Sequence, residues 1–424
     1  MKRYSMLSSL LAIMMLFLVA CGGGSNGPGK VTITWWHIST TDPGLTTWKT
    51  LADQYMKAHP NVTIKITVLA NDPFKTKLTT AMQAGTPPDI FQSWGGGVLQ
   101  QYAAAGLMKD ITPDLQSNGW GDTFGKAGLD LYSYNGKNYG VPWDLGGVGF
   151  WYNKALFTQA GITQTPKTWD DFLNVVKQLQ AAGITPLSLG EKDEWPGAFY
   201  WEYLAVRLGG KAAFDKAYSH KGGAFTDQPF VQAGQYLQQL VALHPFQNGF
   251  LGAGYDTDEK VIVGNGQAAM ELQGQWAPSN DAAAATDKKG PQFGFFPFPS
   301  VPGGAGTPTD VLGGGNGFGI GKNAPPEAVD FVKFLTSATN ESTYATQGFA
   351  LPPVKAAQSA VTDPNLQQVA QMVASASYYQ LYYDQFMTPA VGTAVNDQTA
   401  TLFAGTGSPA SVAKAIDTAA TSGG

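Results

Sequence analysis

Cysteine is nearly absent: Cys21 is the only one in 424 residues. A single thiol excludes an intramolecular disulfide, so stability must come from burial of apolar surface. Charge is sparse as well. Asp, Glu, Lys and Arg together make up 13% of the chain, and the formal net charge is −5. No extended Lys/Arg run follows the N-terminus. Nucleic acid, whose condensed counterions must be displaced by clustered cations, is therefore not an expected partner. Histidine occurs four times, and neither an HExxH nor a CxxC pattern is present, so no metal or other cofactor is expected. The glycine run at 313–317 is not followed by GK[ST], which removes a phosphate loop. Asp256-Thr257-Asp258-Glu259 lacks the glycine and the spacing of a calcium loop and reads as a solvated helix start. No internal repeat of fixed period is found.

The N-terminus is distinctive. Lys2 and Arg3 precede an apolar run from Met6 to Leu18, and small residues follow. This is export-signal architecture, too short and wrongly flanked for a membrane-spanning helix. The run ends Leu18-Val19-Ala20-Cys21, which resembles the lipobox of bacterial lipoproteins. In that family the chain is cut before the cysteine, whose sulfur is lipidated. The expectation is a signal peptide over 1–20, then lipidated Cys21 and a flexible Gly-rich tether over 21–30. Loss of Lys2 and Arg3 would move the net charge to −7. The protein would then sit outside the cytoplasm, anchored to the bacterial cell membrane. A plain secretory signal with a chance cysteine is the alternative.

Past the tether, Val31–Trp35 alternates apolar and Thr residues as a strand does. Leu45–Lys57 carries apolar residues at helical spacing, and Val62–Val68 alternates again. Strand–helix–strand is the signature of a parallel sheet with a crossover helix. A second helix is predicted over Phe74–Ala84, then a short strand ending at Phe91. Thr168 caps a helix with Asp171 three residues on, and Gly183 closes it. Further helices are predicted at Ala198–Leu208, Phe230–Leu243, Asp258–Gly264 and Pro325–Thr336. Residues from Asn365 to Ala420 read as helical throughout. Seven glycines between 303 and 317 form the sharpest shift in composition. They read either as a floppy loop or as backbone crossing between lobes close to a ligand.

Aromatic residues are abundant, with 11 Trp and 17 Tyr. Trp36, Trp94, Trp143, Trp195 and Trp276 lie near Gly, Pro or Asn rather than in an apolar stripe. Trp48 and Trp169 sit on predicted helix faces and read as core. Sugar rings present flat C–H faces between hydroxyls, so sites for them pair aromatic faces with a few aimed carboxylates and amides. In open α/β sheets ligands bind beyond the carboxyl ends of strands, and Trp36, His37 and Trp94 fall at such ends.

Several stretches, in order, resemble the family 1 extracellular solute-binding proteins of sugar ABC importers, the maltose-binding type. They are Thr32–His37, Pro87–Trp94, Gly106–Thr112, Tyr134–Pro142 with Tyr152–Lys154, Pro166–Phe172, Met270–Asn280, Gly317–Leu335 and Leu351–Lys355. The resemblance implies an α/β, two-lobe periplasmic-binding-protein-like fold, with three hinge crossings and a ligand cleft between the lobes. It places the crossings near Asp144–Gly149, Val311–Gly317 and Ala350–Val354. One lobe would be 31–145 plus 314–350, the other 146–313 plus 351–424. It implies a monomeric receptor that captures a di- or oligosaccharide and hands it to a membrane permease. Ligand contacts are expected from Trp36, His37, Trp94, Asp144, Trp195, Trp276 and Asn316. Near Ala390 the chain has small residues where the family has aromatics, and Tyr382, Tyr383 and Asp384 are expected to substitute. A secreted lipoprotein enzyme acting on glycans is the alternative, since paired carboxylates are compatible with the sequence.

Overall fold

The computed structural model describes residues 29–422; the expected signal peptide and Cys21 lie outside the described residues. Strand β1 (Val31–His37), helix α1 (Gly44–Ala58) and strand β2 (Val62–Val68) form the expected unit, with β1 and β2 parallel and in register from Val31/Val62. Alternation along β1 buries Ile33, Trp35 and His37 on one face. Helix α1 closes that face with Trp48, Leu51 and Tyr55. Helix α2 (Asn71–Gln83) covers the other side and leads to β3 (Ile90–Ser93), which lies parallel to β1.

Strand β4 (Gly140–Gly147) carries the chain out of this sheet, and β5 (Gly149–Asn153) opens a second one. Helix α3 (Trp169–Ala181) begins with a complete capping box between Thr168 and Asp171, as its sequence dictates. Helix α4 (Trp195–Ser219) runs well beyond the predicted Leu208 because Gly210, at φ 59°, lets the chain turn and resume. Helix α5 (Gln228–Val241) packs on α4. The predicted helix at Asp258 begins instead as a π turn over Tyr255–Glu259 and becomes α-helical only from Lys260. Strand β6 (Met270–Gln273), helix α6 (Ala277–Ala284) and strand β7 (Phe293–Phe296) follow, with β5 antiparallel between β6 and β7.

The later part of the glycine-rich run is a strand, while residues 303–310 form a loop of turns. β8 (Val311–Ile320) pairs along its length with β4, with a register shift between Asn316 and Gly317. Its other edge is shared. Gly317–Ile320 pairs antiparallel with β3, while Val311–Gly313 pairs parallel with β9 (Tyr379–Leu381). β9 also corrects the all-helical expectation for 365–420. Helices α7 (Pro326–Leu335), α8 (Ala338–Thr346), α9 (Pro364–Ala374), α10 (Pro389–Phe403) and α11 (Pro409–Ser422) complete the chain.

Two large apolar cores result. The first holds residues from Ile33 to Trp143 and from Phe318 to Ala357. The second holds Val148 to Leu312 and Tyr382 to Ala420. The chain passes between them at 144–147, at 313–317, and once more between Ala350 and Val361. In that last stretch Val354 and Ala357 still pack in the first core, while Leu351 and Val361 join a smaller cluster around Trp151 and Phe293. This is a two-lobe periplasmic-binding-protein fold, with two of its crossings in adjacent strands and the third outside them. Among the described residues no helix is long and apolar enough to cross a membrane.

Candidate functional site

A cavity lies where the two cores face each other, and about 1010 Å³ of non-atom space falls within it, mouth included. The first half contributes the segment from Ile38 to Gly44, then Asn71, Lys75, Trp94, Trp143 and Phe349. The second contributes Trp195, Phe199, Tyr255, Trp276, Asn280 and Tyr382. Asn316 lines it from β8, at the point where that strand's edge passes from β9 to β3.

Local structure explains each placement. Trp276 follows β6 and Gly274, where a Cβ would stand 2.1 Å from the indole. Only glycine lets the ring fold back over its own turn. Trp195 opens α4 and follows Glu194, whose backbone is held at φ 62°, a strained setting for a non-glycine residue. The Trp195 and Trp276 rings meet at 6.4 Å and 63°, and Trp276 meets Tyr382 at 6.5 Å and 79°. These three rings form a continuous angled wall.

The polar groups fall into two sets. Some already bond across the cavity. Thr41 Oγ1 donates to Asn280 Oδ1 at 3.1 Å, and Lys75 Nζ reaches Asp384 Oδ2 at 3.2 Å, so the two halves touch. Asn280 also donates to the Tyr255 hydroxyl at 3.2 Å, and Lys260 holds Asp256 at 2.7 Å. Others are left over. Trp143 Nε1, Trp195 Nε1 and the Tyr382 hydroxyl are buried with no partner among the described residues. A buried donor without an acceptor costs about 1–3 kcal/mol, so these groups are poised for an acceptor from a ligand. Behind Tyr255, whose amide donates to its Oδ2, Asp193 is pushed up to about 6 by burial and the nearby Asp72 carboxylate. Burial and Asp397 push Glu194 up to about 7.

Of the residues singled out from sequence, Trp94, Trp195, Trp276, Asn316, Tyr382 and Asp384 line the cavity. Four do not. Trp36 lies on the opposite face of β1 from Trp35, with Lys77 Nζ 4.6 Å from its ring. His37 is buried against Trp35, with ring centroids 5.0 Å apart, and accepts from the Ser39 amide at 3.2 Å. Burial holds its pKa down to about 4, so the ring is neutral. It shapes the Ile38–Gly44 segment from behind. Asp144 is fully buried behind Asn316, to which it is hydrogen bonded. Tyr383 points into the second core, where it packs against Trp201 and Phe214. Sequence reasoning missed Lys75, Thr41 and Phe349. It named Asn280 only as part of the Met270–Asn280 stretch, and it placed Tyr255 nowhere, although Gly254 beside it was a usable signal. Among the described residues no group of three or more His, Cys, Asp or Glu is arranged to hold a metal ion.

Comparison with known proteins agrees with this architecture. A diacetylchitobiose binding protein of Streptomyces coelicolor is 25% identical over 85% of this chain and 84% of its own length. A chain solved in work on xylan utilization by the thermophilic bacterium Caldanaerobius polysaccharolyticus is 32% identical, with a TM-score of 0.84 over 92% of this chain and 99% of that one. A chitin oligosaccharide binding protein superposes with a TM-score of 0.85 at 27% identity, over 93% and 98% of the two chains. The family model for bacterial extracellular solute-binding proteins matches residues 39–342. With two cores, three crossings and an aromatic cavity between them, this chain belongs to the bacterial extracellular solute-binding protein family.

Proposed function

We propose that the protein captures a di- or oligosaccharide in this cavity and delivers it to the permease of an ABC importer. The observation that carries the reading is the set of three orphaned donors, on Trp143, Trp195 and Tyr382, inside a wall of angled aromatic rings. Aromatic faces suit the C–H faces of sugar rings, and isolated donors suit their hydroxyl oxygens. Relatives described as binding diacetylchitobiose and chitin oligosaccharides support the same class. Binding by closure follows from the fold: a ligand touching both halves stabilises only the closed arrangement and shifts the population toward it.

The proposed ligand contacts are Trp94, Trp143, Trp195, Trp276, Asn316, Tyr382 and Asp384. The proposed lobes divide near the crossings at 144–149, 311–317 and 350–354. The reading includes export by the N-terminal signal and anchoring through lipidated Cys21, supported by the lipobox-like Leu18–Cys21. It treats the protein as a monomeric receptor and not as an enzyme. Two cavity carboxylates, Asp256 and Asp384, are held by lysines, which suits fixed acceptors better than an acid–base pair. A thermal-shift screen against mono-, di- and trisaccharides tests the reading, because a ligand that binds only the folded state raises its melting temperature. A saccharide that stabilises the protein and is recovered intact supports it. Turnover of the saccharide, or no stabilisation by any member of the panel, overturns it.

A further inference from the structure

The buried side chains behind the cavity converge on one carboxylate. Asp144 Oδ2 accepts from Gln275 Nε2 at 2.6 Å and from Asn316 Nδ2 at 2.8 Å. Oδ1 accepts from the Leu351 amide at 2.7 Å. Asp144 lies on β4, Asn316 on β8 and Leu351 on the last connection, so this one group joins all three segments that run between the halves. The network extends into each half. Gln92 Nε2 on β3 donates to Asn316 Oδ1 at 2.7 Å. Gln275 immediately precedes Trp276, and its amide lies directly over Gly146, where a Cβ would stand 1.9 Å from Oε1.

We propose that Asp144 is the positioning residue that ties the hinge to the cleft, orienting Asn316 and the Gln275–Trp276 turn by fixing all three connections to one carboxylate. The inference rests on the cavity being the ligand site.

The arrangement is also a switch. Burial raises Asp144 to about 6, against the four hydrogen bonds from Leu351, Asn316, Gln275 and Leu145 that favour its charged form. The titratable groups that sense it are the Tyr132, Tyr379 and Tyr382 phenols and the Glu341 carboxyl of α8. All four are pushed up chiefly by burial, and no cation is among them. Above pH 6 the carboxylate accepts from both amides. Below it, Oδ2 carries a proton and needs an acceptor. Asn316 Oδ1 is already taken by Gln92, whereas Gln275 Oε1 is buried without a partner among the described residues. Rotation of the Gln275 amide therefore satisfies the new proton, and it does so one residue from Trp276.

The test needs no ligand. Proton–nitrogen NMR follows the Gln275 and Asn316 side-chain amides and the Trp276 indole from pH 4.5 to 8. In the native protein all three titrate with one midpoint near 6. In Asp144→Asn none of them titrates. Gln275→Met, which keeps the charge and removes one donor to it, moves the Asn316 midpoint upward, and it answers the question if Asp144→Asn does not fold. Separate midpoints, titration surviving in Asp144→Asn, or an unmoved midpoint in Gln275→Met overturns the inference. Calorimetry with diacetylchitobiose and xylobiose at pH 7.5 is run beside it. Shared titration without saccharide binding keeps the hinge coupling and counts against the proposed function. Binding without shared titration discards the coupling alone.

Discussion

Trp276 shows how much a single side chain depends on its neighbours. Its ring is half-buried, leans over Gly274 and touches both Trp195 and Tyr382. Trp276→Ala is expected to weaken saccharide binding by roughly 2 kcal/mol, about thirty-fold in Kd, since it removes one large apolar face. The fold should survive, because the ring lies at the edge of the core. Calorimetry with circular dichroism as a control checks both points. Tyr382→Phe is a finer probe. Its hydroxyl has no partner among the described residues, so its loss should cost nothing in stability and about 1 kcal/mol in binding, roughly five-fold. A destabilised Phe variant would mean that the hydroxyl has a role in the empty protein. Trp276 was legible because a tryptophan just past a strand end and a glycine falls where the resembled family has a stacking aromatic. Trp36 and Tyr383 were not, because a strand's two faces and a short helix's inward side look alike until the partners are known. His37 was placed at the correct strand end, but the structure buries it one layer deeper than the cleft.

At the scale of elements, β8 is the least strand-like sequence and the most constrained strand. A Cβ on Gly314 would meet the Tyr382 ring at 2.2 Å, and one on Gly317 would meet the Tyr132 hydroxyl at 2.3 Å. The glycines serve close approach, and the cavity's aromatic wall rests against them. Gly314→Ala should therefore destabilise the protein by roughly 1–3 kcal/mol through overpacking and weaken ligand binding as Tyr382 shifts. Urea unfolding midpoints and calorimetry read the two effects separately. The early helices and strands were legible from periodicity and caps, as at Thr168 and Asp171. The strand character of 311–320 was not, because glycine carries no side-chain period to read. What could be read was its alternative as a crossing. β9 was hidden for a different reason: its three residues draw their pairing from β8, far away in sequence.

Across the whole molecule, the second half buries an unusual number of acids. Glu191, Glu202, Glu259, Glu271 and Asp281 are all pushed well above their usual range, in each case chiefly by burial. Asp144 and Asp193 are raised to about 6 and Glu194 to about 7. An acid raised in the folded state gives stability that is full below its unfolded pKa and lost as pH climbs through the folded value. His37, held down to about 4, acts the other way and loses stability as pH falls below about 6.5. The acids outnumber it. The melting temperature is expected to fall as pH rises from about 4 to about 7. Fully buried Asp144 alone accounts for on the order of 3 kcal/mol of this decline. Scanning calorimetry between pH 4.5 and 9 checks the sign, and a flat or rising profile would contradict it.

The shared strand β8 also sets a timetable. The central sheet runs β9-β8-β3-β1-β2, so the strand that completes the first half belongs to residues 311–320. Until those residues are available, β3 has an open edge and the Ile33–Trp143 core has no lid from Phe318 and Phe331. Pairing over such separations is slow, because a long loop must close before any contact rewards it. The first half of a nascent chain therefore cannot complete its sheet until residues 311–320 have been made. That delay suits a protein whose first twenty residues read as an export signal, since a chain must remain threadable to leave the cell. The strand that joins the two halves thus also sets when the first of them can be completed.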